Sequence, residues 1–324
     1  MTPNTEHPIV VRRRRDPGGV GLAERRLHAL IEGGGVHRIV AGSFALGDEW
    51  RRLTPIQQHF VRVLEVADRS RKPQVFMGAA AAAVLGIDRI GAWPHRVEVR
   101  IARTSGGRSS GAVARRALGF DGVDLLEWRG HLVTSPAQTA IDVAAEAHFT
   151  AGVIAFDQAL WRRRDGGALT TISEIERVLA AQSRRGIGRA AAALDFSTEL
   201  SDSVRESEAR VLIDRMGFPT PELQREFRLT GGRVARADFY FPDFDHIGEF
   251  DGTGKYLDPA LLRARTPQQV LLEEKDREDE LRRVVQAFSR WRTAAHRDPG
   301  MLYDILSAAG LPSRLPRPRR GALR

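Results

Sequence analysis

The chain has 324 residues, 42% of them hydrophobic and 28% charged, a composition typical of a globular protein long enough for more than one domain. It contains no cysteine, which excludes disulfides, thiolate zinc sites and cysteine nucleophiles, and no apolar run approaches the roughly 20 residues of a membrane span. The formal net charge of +9 favours a polyanionic partner, with DNA first.

The N-terminal segment carries four consecutive arginines, Arg12, Arg13, Arg14 and Arg15, where a secretory signal would have an apolar stretch. We therefore expect a cytoplasmic protein whose residues 1–20 form a flexible basic arm. The four arginines could bind nucleic-acid phosphates, or the arm could be a solvated tail.

Residues 21–53 predict a truncated winged-helix-like unit. Leu22–Glu32 has apolar residues at helical spacing, and Val36–Phe44 alternates like a strand that turns at Gly42. A short helix followed by a two-stranded ribbon is typical of the second half of a winged helix. Arg38 could then bind a phosphate from the wing, or the ribbon could only pack against the next unit.

Residues 54–200 predict an α/β extension. Thr54 and Ser135 are each followed by proline, which indicates a capped helix start at both places. His95–Ala102 alternates like a strand, and Gly111–Leu118 is its predicted partner across a Gly/Ser turn.

Residues 201–311 have a different order of predicted elements, and residues 312–324 are a basic, proline-rich tail. The predicted elements are a helix at Val204–Met216, a strand at Leu223–Leu229, two strands around a Pro242–Asp245 turn, a helix at Pro267–Val285 and a strand at Phe288–Trp291.

Three acidic residues lie in the two strands around that turn. Strand side chains alternate between faces, so Glu249 and Asp251 should point the same way, towards Asp238 on the facing strand. Carboxylates held that close repel one another unless a cation or a proton offsets their charge. The pattern predicts a divalent metal site, and the alternative is a surface hairpin with solvated acids.

The C-terminal region resembles the PD-(D/E)XK nuclease core, and more narrowly a family related to the very-short-patch repair endonucleases. The residues that carry the resemblance are Glu206-Ser207 with Arg210, Ala237-Asp238-Phe239, Gly248-Glu249-Phe250-Asp251-Gly252, Lys255-Tyr256, and Glu274-Lys275 with Arg277-Glu278-Asp279. The resemblance implies a restriction-endonuclease-like α/β/α core with a mixed sheet, within an α/β protein.

The resemblance also implies Mg²⁺- or Mn²⁺-dependent hydrolysis of DNA phosphodiester bonds. Asp238 and Glu249, with Asp251, would bind the metal, and Glu206 would complete the site from the first helix. The general motif has a lysine two residues after Glu249, where this chain has Asp251. Lys255 or Lys275 would then supply the missing positive charge, a second metal would bind, or catalysis is lost; Lys255 would also contact DNA.

The upstream region, about 20–200, resembles the AbiEi-type antitoxin module, with Thr134–Asp142 as its clearest match. The two resemblances together imply two alternative functions. The first is a DNA endonuclease of genome or phage defence; the second is a non-catalytic DNA-binding transcriptional regulator, an antitoxin of a type IV toxin–antitoxin system. A toxin or another defence protein would be the partner in addition to DNA.

Overall fold

The computed structural model describes residues 3–13, 24–105, 109–252 and 266–319. The chain divides into two compact units, unit 1 at Met1–Glu199 and unit 2 at Leu200–Arg324. Both units combine helices with β-sheets, so the predicted α/β class is confirmed at this level. In the described ranges, every helix is too short or too polar to cross a bilayer.

Unit 1 contains two sheets and a group of helices. Its described strands are β1 (Arg12–Arg13), β2 (Val36–Val40), β3 (Ser43–Leu46), β4 (Val75–Phe76), β5 (Val97–Arg100), β6 (Val113–Arg116), β7 (Leu125–Trp128) and β8 (His131–Thr134). Its described helices are α1 (Glu24–Glu32), α2 (Gly47–Arg52), α3 (Pro55–Arg69), α4 (Gly78–Leu85), α5 (Pro136–Glu146), α6 (Phe149–Leu160), α7 (Ile172–Ala180) and α8 (Ile187–Phe196).

Helix starts in unit 1 follow the predicted capping residues. Thr54 accepts a hydrogen bond from the Gln57 amide at α3, and Ser135 accepts one from the Gln138 amide at α5. Helices α5, α6 and α8 also pack closely. A Cβ added to Gly152 of α6 would lie 3.0 Å from Ala193 of α8 and 3.2 Å from Ala144 of α5. The short side chains on these helices therefore determine how near their axes approach.

The larger sheet of unit 1 has the strand order β6-β5-β4-β8-β7. The prediction that Gly111–Leu118 pairs with His95–Ala102 is confirmed for the pairing, but β5 and β6 run parallel. A tight hairpin turn joins antiparallel strands, so the predicted turn between β5 and β6 is wrong.

The N-terminal segment is not a free arm over its described residues, 3–13. Arg12 and Arg13 form β1, which pairs antiparallel with β3. The Asn4 amide donates to the Val84 carbonyl oxygen, and the Trp128 indole N–H donates to the Asn4 carbonyl oxygen. Backbone pairing therefore fixes this segment on unit 1, a contact that composition alone does not reveal.

Unit 2 is a four-stranded sheet with helices on both faces. Its described elements are α9 (Val204–Arg215), β9 (Glu222–Arg228), β10 (Val234–Phe241), β11 (His246–Phe250), α10 (Pro267–Arg283), β12 (Ala287–Trp291), α11 (Thr293–Arg297) and α12 (Pro299–Ala308). The strand order is β12-β11-β10-β9. Strands β9, β10 and β11 are antiparallel neighbours, and β12 runs parallel to β11 after α10.

Two apolar clusters hold the layers of unit 2 together. Phe239, Phe241 and Trp291 pack with residues of α9, α11 and α12. Ile247 packs with Leu281 of α10 in the second cluster. The sheet is thus covered by α10 through one cluster and by the other three helices through the other.

The turn between β10 and β11 is fixed by Asp245. Its backbone is left-handed, with φ +40°, and its two carboxylate oxygens accept hydrogen bonds from the Tyr240 hydroxyl and the Gln286 amide, both at 3.0 Å. This aspartate therefore links the hairpin to the start of β12.

The segment predicted as a basic tail is packed over residues 312–319. The Arg314 amide donates to the Gly217 carbonyl oxygen at 3.0 Å, and Arg317 forms an ion pair with Asp304. Leu311 is buried in the cluster beside α12. Over its described residues, 312–319, this segment therefore belongs to the fold of unit 2 and is not a free tail.

Candidate active site

The end of β11 carries a buried glutamate that is bound by an arginine. The Glu249 side chain is 4% exposed, and both of its oxygens accept hydrogen bonds from Nη2 of Arg277, at 3.0 Å each. Burial raises the pKa of Glu249, Arg277 lowers it, and the nearby charges of Asp238 and Glu274 raise it again, to about 7. The carboxyl group is therefore poised to exchange a proton near neutral pH.

Asp238, on β10, is near both Glu249 and a second buried glutamate, Glu206. Its Oδ2 accepts a hydrogen bond from the Phe250 amide at 3.0 Å, which holds it against the end of β11. After burial, the Asp238 charge is the largest influence that raises the pKa of Glu206, and it also raises the pKa of Glu249. Asp238 is thus near enough to Glu206 and Glu249 for its charge to act on both, but the oxygens of these three described acids do not gather within 4.8 Å of one another.

Glu206 reaches this position from the first turn of α9. Its Oε2 accepts hydrogen bonds from the Asp202 amide and Gln224 Nε2, both at 2.9 Å, and Ser203 Oγ donates to Oε1 at 2.8 Å. Burial followed by the Asp238 charge raises the pKa of Glu206 to about 8, against these hydrogen bonds. Ser203 also caps α9, so the same residues both begin the helix and place the acid.

Two arginines supply the positive charge beside Glu249, and sequence reasoning did not assign either of them this role. Arg277 lies on α10, and Arg290, the register partner of Glu249 on β12, has Nη2 4.0 Å from Glu249 Oε2. Arg277 and Arg290 both bind Glu274 Oε1, at 2.8 and 3.0 Å. The signal in the sequence was the i, i+3, i+4, i+7 spacing of Glu274, Arg277, Glu278 and Leu281, which places them on one helix face.

The lysines predicted to replace the missing motif cation are not at this position in the described residues. Lys275 is exposed on α10, two residues before the arginine that contacts Glu249. Lys255 lies outside the described residues. Because a helix turns about 100° per residue, the phase of α10 brings Arg277 to the sheet and leaves Lys275 facing solvent.

Asp251 has an arginine partner of its own, Arg292. Its side chain is 7% exposed, and its Oδ2 accepts a hydrogen bond from Arg292 Nε at 2.8 Å. The predicted trio of Asp238, Glu249 and Asp251 does not gather its oxygens within 4.8 Å; in the described part of the chain, a trio at that spacing occurs in unit 1. The role of Asp238, Glu249 and Asp251 as metal ligands stays a prediction.

The unit 1 trio is His7, Glu65 and Asp68. Arg13 donates to both carboxylates, at 2.7 Å to Glu65 and 2.6 Å to Asp68, and Arg129 donates to Asp68 at 2.7 Å. Guanidinium groups therefore already balance these acids.

The residues predicted to bind nucleic acid have different environments. Arg13 is engaged in the ion pairs with Glu65 and Asp68, because β1 places it against α3. Arg12 and Arg38 are exposed on the three-stranded sheet β1-β3-β2. Arg14 and Arg15 lie outside the described residues.

Comparison with known proteins finds two relatives from Mycobacterium tuberculosis. Uncharacterized protein MT2308 (strain CDC 1551 / Oshkosh) and Uncharacterized protein Rv2248 (strain ATCC 25618 / H37Rv) are each 36% identical to the chain over 147 residues, 45% of this chain and 52% of the relative. The chain thus spans about half the length of the curated relatives it matches. No family model matches the chain. No solved structure matches it either.

Proposed function

We propose that unit 2 is a metal-dependent endonuclease-like domain that hydrolyses phosphodiester bonds in DNA. The observation that carries the proposal is the burial of two glutamates, Glu206 and Glu249, near Asp238, whose Oδ2 is hydrogen-bonded to the Phe250 amide at the end of β11. The order of a helix, three antiparallel strands, a helix and a parallel strand also supports it, since this is the order expected from the resemblance to PD-(D/E)XK nucleases.

The side chains at this position fit a hard divalent cation. Mg²⁺ and Mn²⁺ prefer oxygen ligands, and a cation offsets the repulsion that crowding imposes on the carboxylates. Asp238 and Glu249 would hold the ion, with Glu206 adjacent to Asp238. When bound, the metal supplies Lewis acidity and lowers the pKa of a water ligand.

The protein groups around the acids have separate roles. Glu206, with a pKa of about 8, retains its proton near neutral pH, which limits the negative charge next to Asp238. Arg277 and Arg290 offset the charge of Glu249 from the side of α10 and β12. Arginine also binds phosphate oxygens in a bidentate geometry, so these residues suit a nucleic-acid backbone.

The test is cleavage of supercoiled plasmid with Mg²⁺ or Mn²⁺ by the purified chain and by Asp238→Asn, Glu249→Gln and Asp243→Asn. Asp243 is an exposed acid in the same hairpin turn and serves as the matched control. We expect the first two variants to lose cleavage and Asp243→Asn to retain it. Equal cleavage by all four proteins would indicate a contaminating nuclease and refute the proposal.

A second function, non-catalytic DNA binding of the regulator or antitoxin type, is favoured by one contact. Arg277 Nη2 donates to both oxygens of Glu249, which satisfies this carboxylate without a metal. Both functions predict DNA binding that weakens with salt, because phosphate contacts release counterions. DNA binding without cleavage, and unchanged by Asp238→Asn, would support the second function over the first.

A further inference from the structure

Arg277 occupies the Glu249 oxygens that the proposed metal would use. Its Nη2 lies 3.0 Å from Oε1 and 3.0 Å from Oε2, and the carboxylate is 4% exposed. A hydrogen bond between two charged groups is stronger than one between neutral groups. Each carboxylate oxygen has a second lone pair, but the side chain is only 4% exposed, so a cation that reaches Glu249 competes with Arg277 for these oxygens.

Arg277 has other partners that keep it near the site after such a displacement. Its Nε donates to Glu274 Oε2 at 3.0 Å, and its Nη1 donates to the Arg236 carbonyl oxygen at 3.1 Å. The side chain is 26% exposed, in contrast to the buried Glu249. The guanidinium can thus give up Glu249, remain bound to α10 and β10, and present N–H groups to solvent.

We propose that Arg277 is a positioning residue that exchanges Glu249 for a DNA phosphate when a divalent cation binds Asp238 and Glu249. The exchange couples the two binding events, because the cation releases the guanidinium that the phosphate then engages. The inference rests on the proposed function, since it requires a cation at these acids. It also assigns to Arg277, on α10, a positive charge that the general motif supplies from a lysine on the strand.

Mn²⁺ affinity measured by titration calorimetry on the full chain tests the exchange without relying on cleavage. Arg277→Gln removes the competitor, so we expect Mn²⁺ to bind about ten-fold more tightly than to the unsubstituted protein. Arg277→Lys keeps the positive charge on a shorter side chain, so its Mn²⁺ affinity should lie between those of the unsubstituted protein and Arg277→Gln. The matched control is Arg282→Gln, which removes an exposed arginine of the same helix that binds Glu278.

A second measurement follows the phosphate side of the exchange. Mn²⁺ should increase the affinity of the unsubstituted protein for a short DNA duplex, and this increase should be lost in Arg277→Gln and retained in Arg282→Gln. The measurement uses equilibrium binding at constant ionic strength, because salt alone changes the affinity.

The outcomes separate the inference from the proposed function. Equal Mn²⁺ affinity in the unsubstituted protein and Arg277→Gln overturns the exchange and leaves the nuclease proposal intact. An equal increase in Arg282→Gln would assign the effect to net charge and also overturn the exchange. Absence of Mn²⁺ binding in every protein, including Arg277→Lys, overturns both proposals.

Discussion

Replacement of Glu206 by glutamine should reduce the loss of stability that unit 2 undergoes as pH rises. The pKa of Glu206 is raised from 4.5 to about 8, so the folded state binds the proton more tightly than the unfolded state. Stability is then greatest below the unfolded pKa of 4.5 and falls as pH rises through the folded pKa. The window is from about pH 5 to about pH 8.

The magnitude follows from the size of the shift. One pKa unit corresponds to about 1.4 kcal/mol, so a shift of this size gives at most about 4 to 5 kcal/mol for an isolated group. Burial and the Asp238 charge both contribute to this shift, so the value is an upper limit for the effect of replacing Glu206. Glutamine mimics the protonated acid, and Ser203 Oγ, 2.8 Å from Oε1, can accept from its amide as well as donate.

Hydrogen exchange of the α9 and β10 amides, followed by mass spectrometry across the pH window and corrected for the intrinsic exchange rate, measures this effect within unit 2. The unsubstituted protein should lose protection with rising pH, whereas Glu206→Gln should lose less. Glu226→Gln, an acid on β9 with a 65% exposed side chain, is the control and should follow the unsubstituted protein. Parallel loss of protection in all three proteins would refute the raised pKa of Glu206.

Three further predictions address the neighbours of the site and the N-terminal segment. Asp238→Asn should lower the pKa of both glutamates beside it, measured by carboxyl ¹³C NMR titration; unchanged values would mean that burial alone raises them. Asp245→Ala should destabilise unit 2 by roughly 1 to 3 kcal/mol in urea unfolding. Alanine cannot accept the hydrogen bond from the Tyr240 hydroxyl, and it tolerates the positive φ at this position less well than aspartate does. Asp243→Ala, in the same turn, should change stability little. Arg13→Ala should destabilise unit 1 by about 3 kcal/mol, since it leaves buried Glu65 without its main partner, and should leave the salt dependence of DNA binding unchanged; a shallower salt dependence would mean that Arg13 binds phosphate.

Local chemistry allowed much of the fold to be predicted from the sequence. Thr54 and Ser135 are hydrogen-bonding caps followed by proline, and each begins a helix where expected. The strands around Pro242 also form as predicted. The parallel pairing of β5 with β6 was missed, because strand direction depends on the route of the chain and not on local alternation.

Part of the candidate site followed from alternation along the strands, and part depended on tertiary packing. Asp238 is held at the end of β11 because β10 and β11 are antiparallel neighbours, as the predicted hairpin required. Arg277 could have been preferred to Lys275 from the sequence, because it lies four residues before the apolar Leu281 and so shares its helix face, but the search for the motif's lysine favoured Lys275. Asp251 was expected beside the other acids, and its pairing with Arg292 depends on the parallel strand β12.

The bond between Arg277 and Glu249 has a consequence for how such a domain can evolve. Because the buried carboxylate has a partner of its own, folding of unit 2 does not depend on an ion to satisfy it. On the proposed function, a descendant that lost DNA cleavage would keep a stable scaffold and could still be selected as a binding protein. Evolutionary change between an endonuclease and a non-catalytic DNA-binding regulator would then require few substitutions. Natural variants with either function should share this arginine.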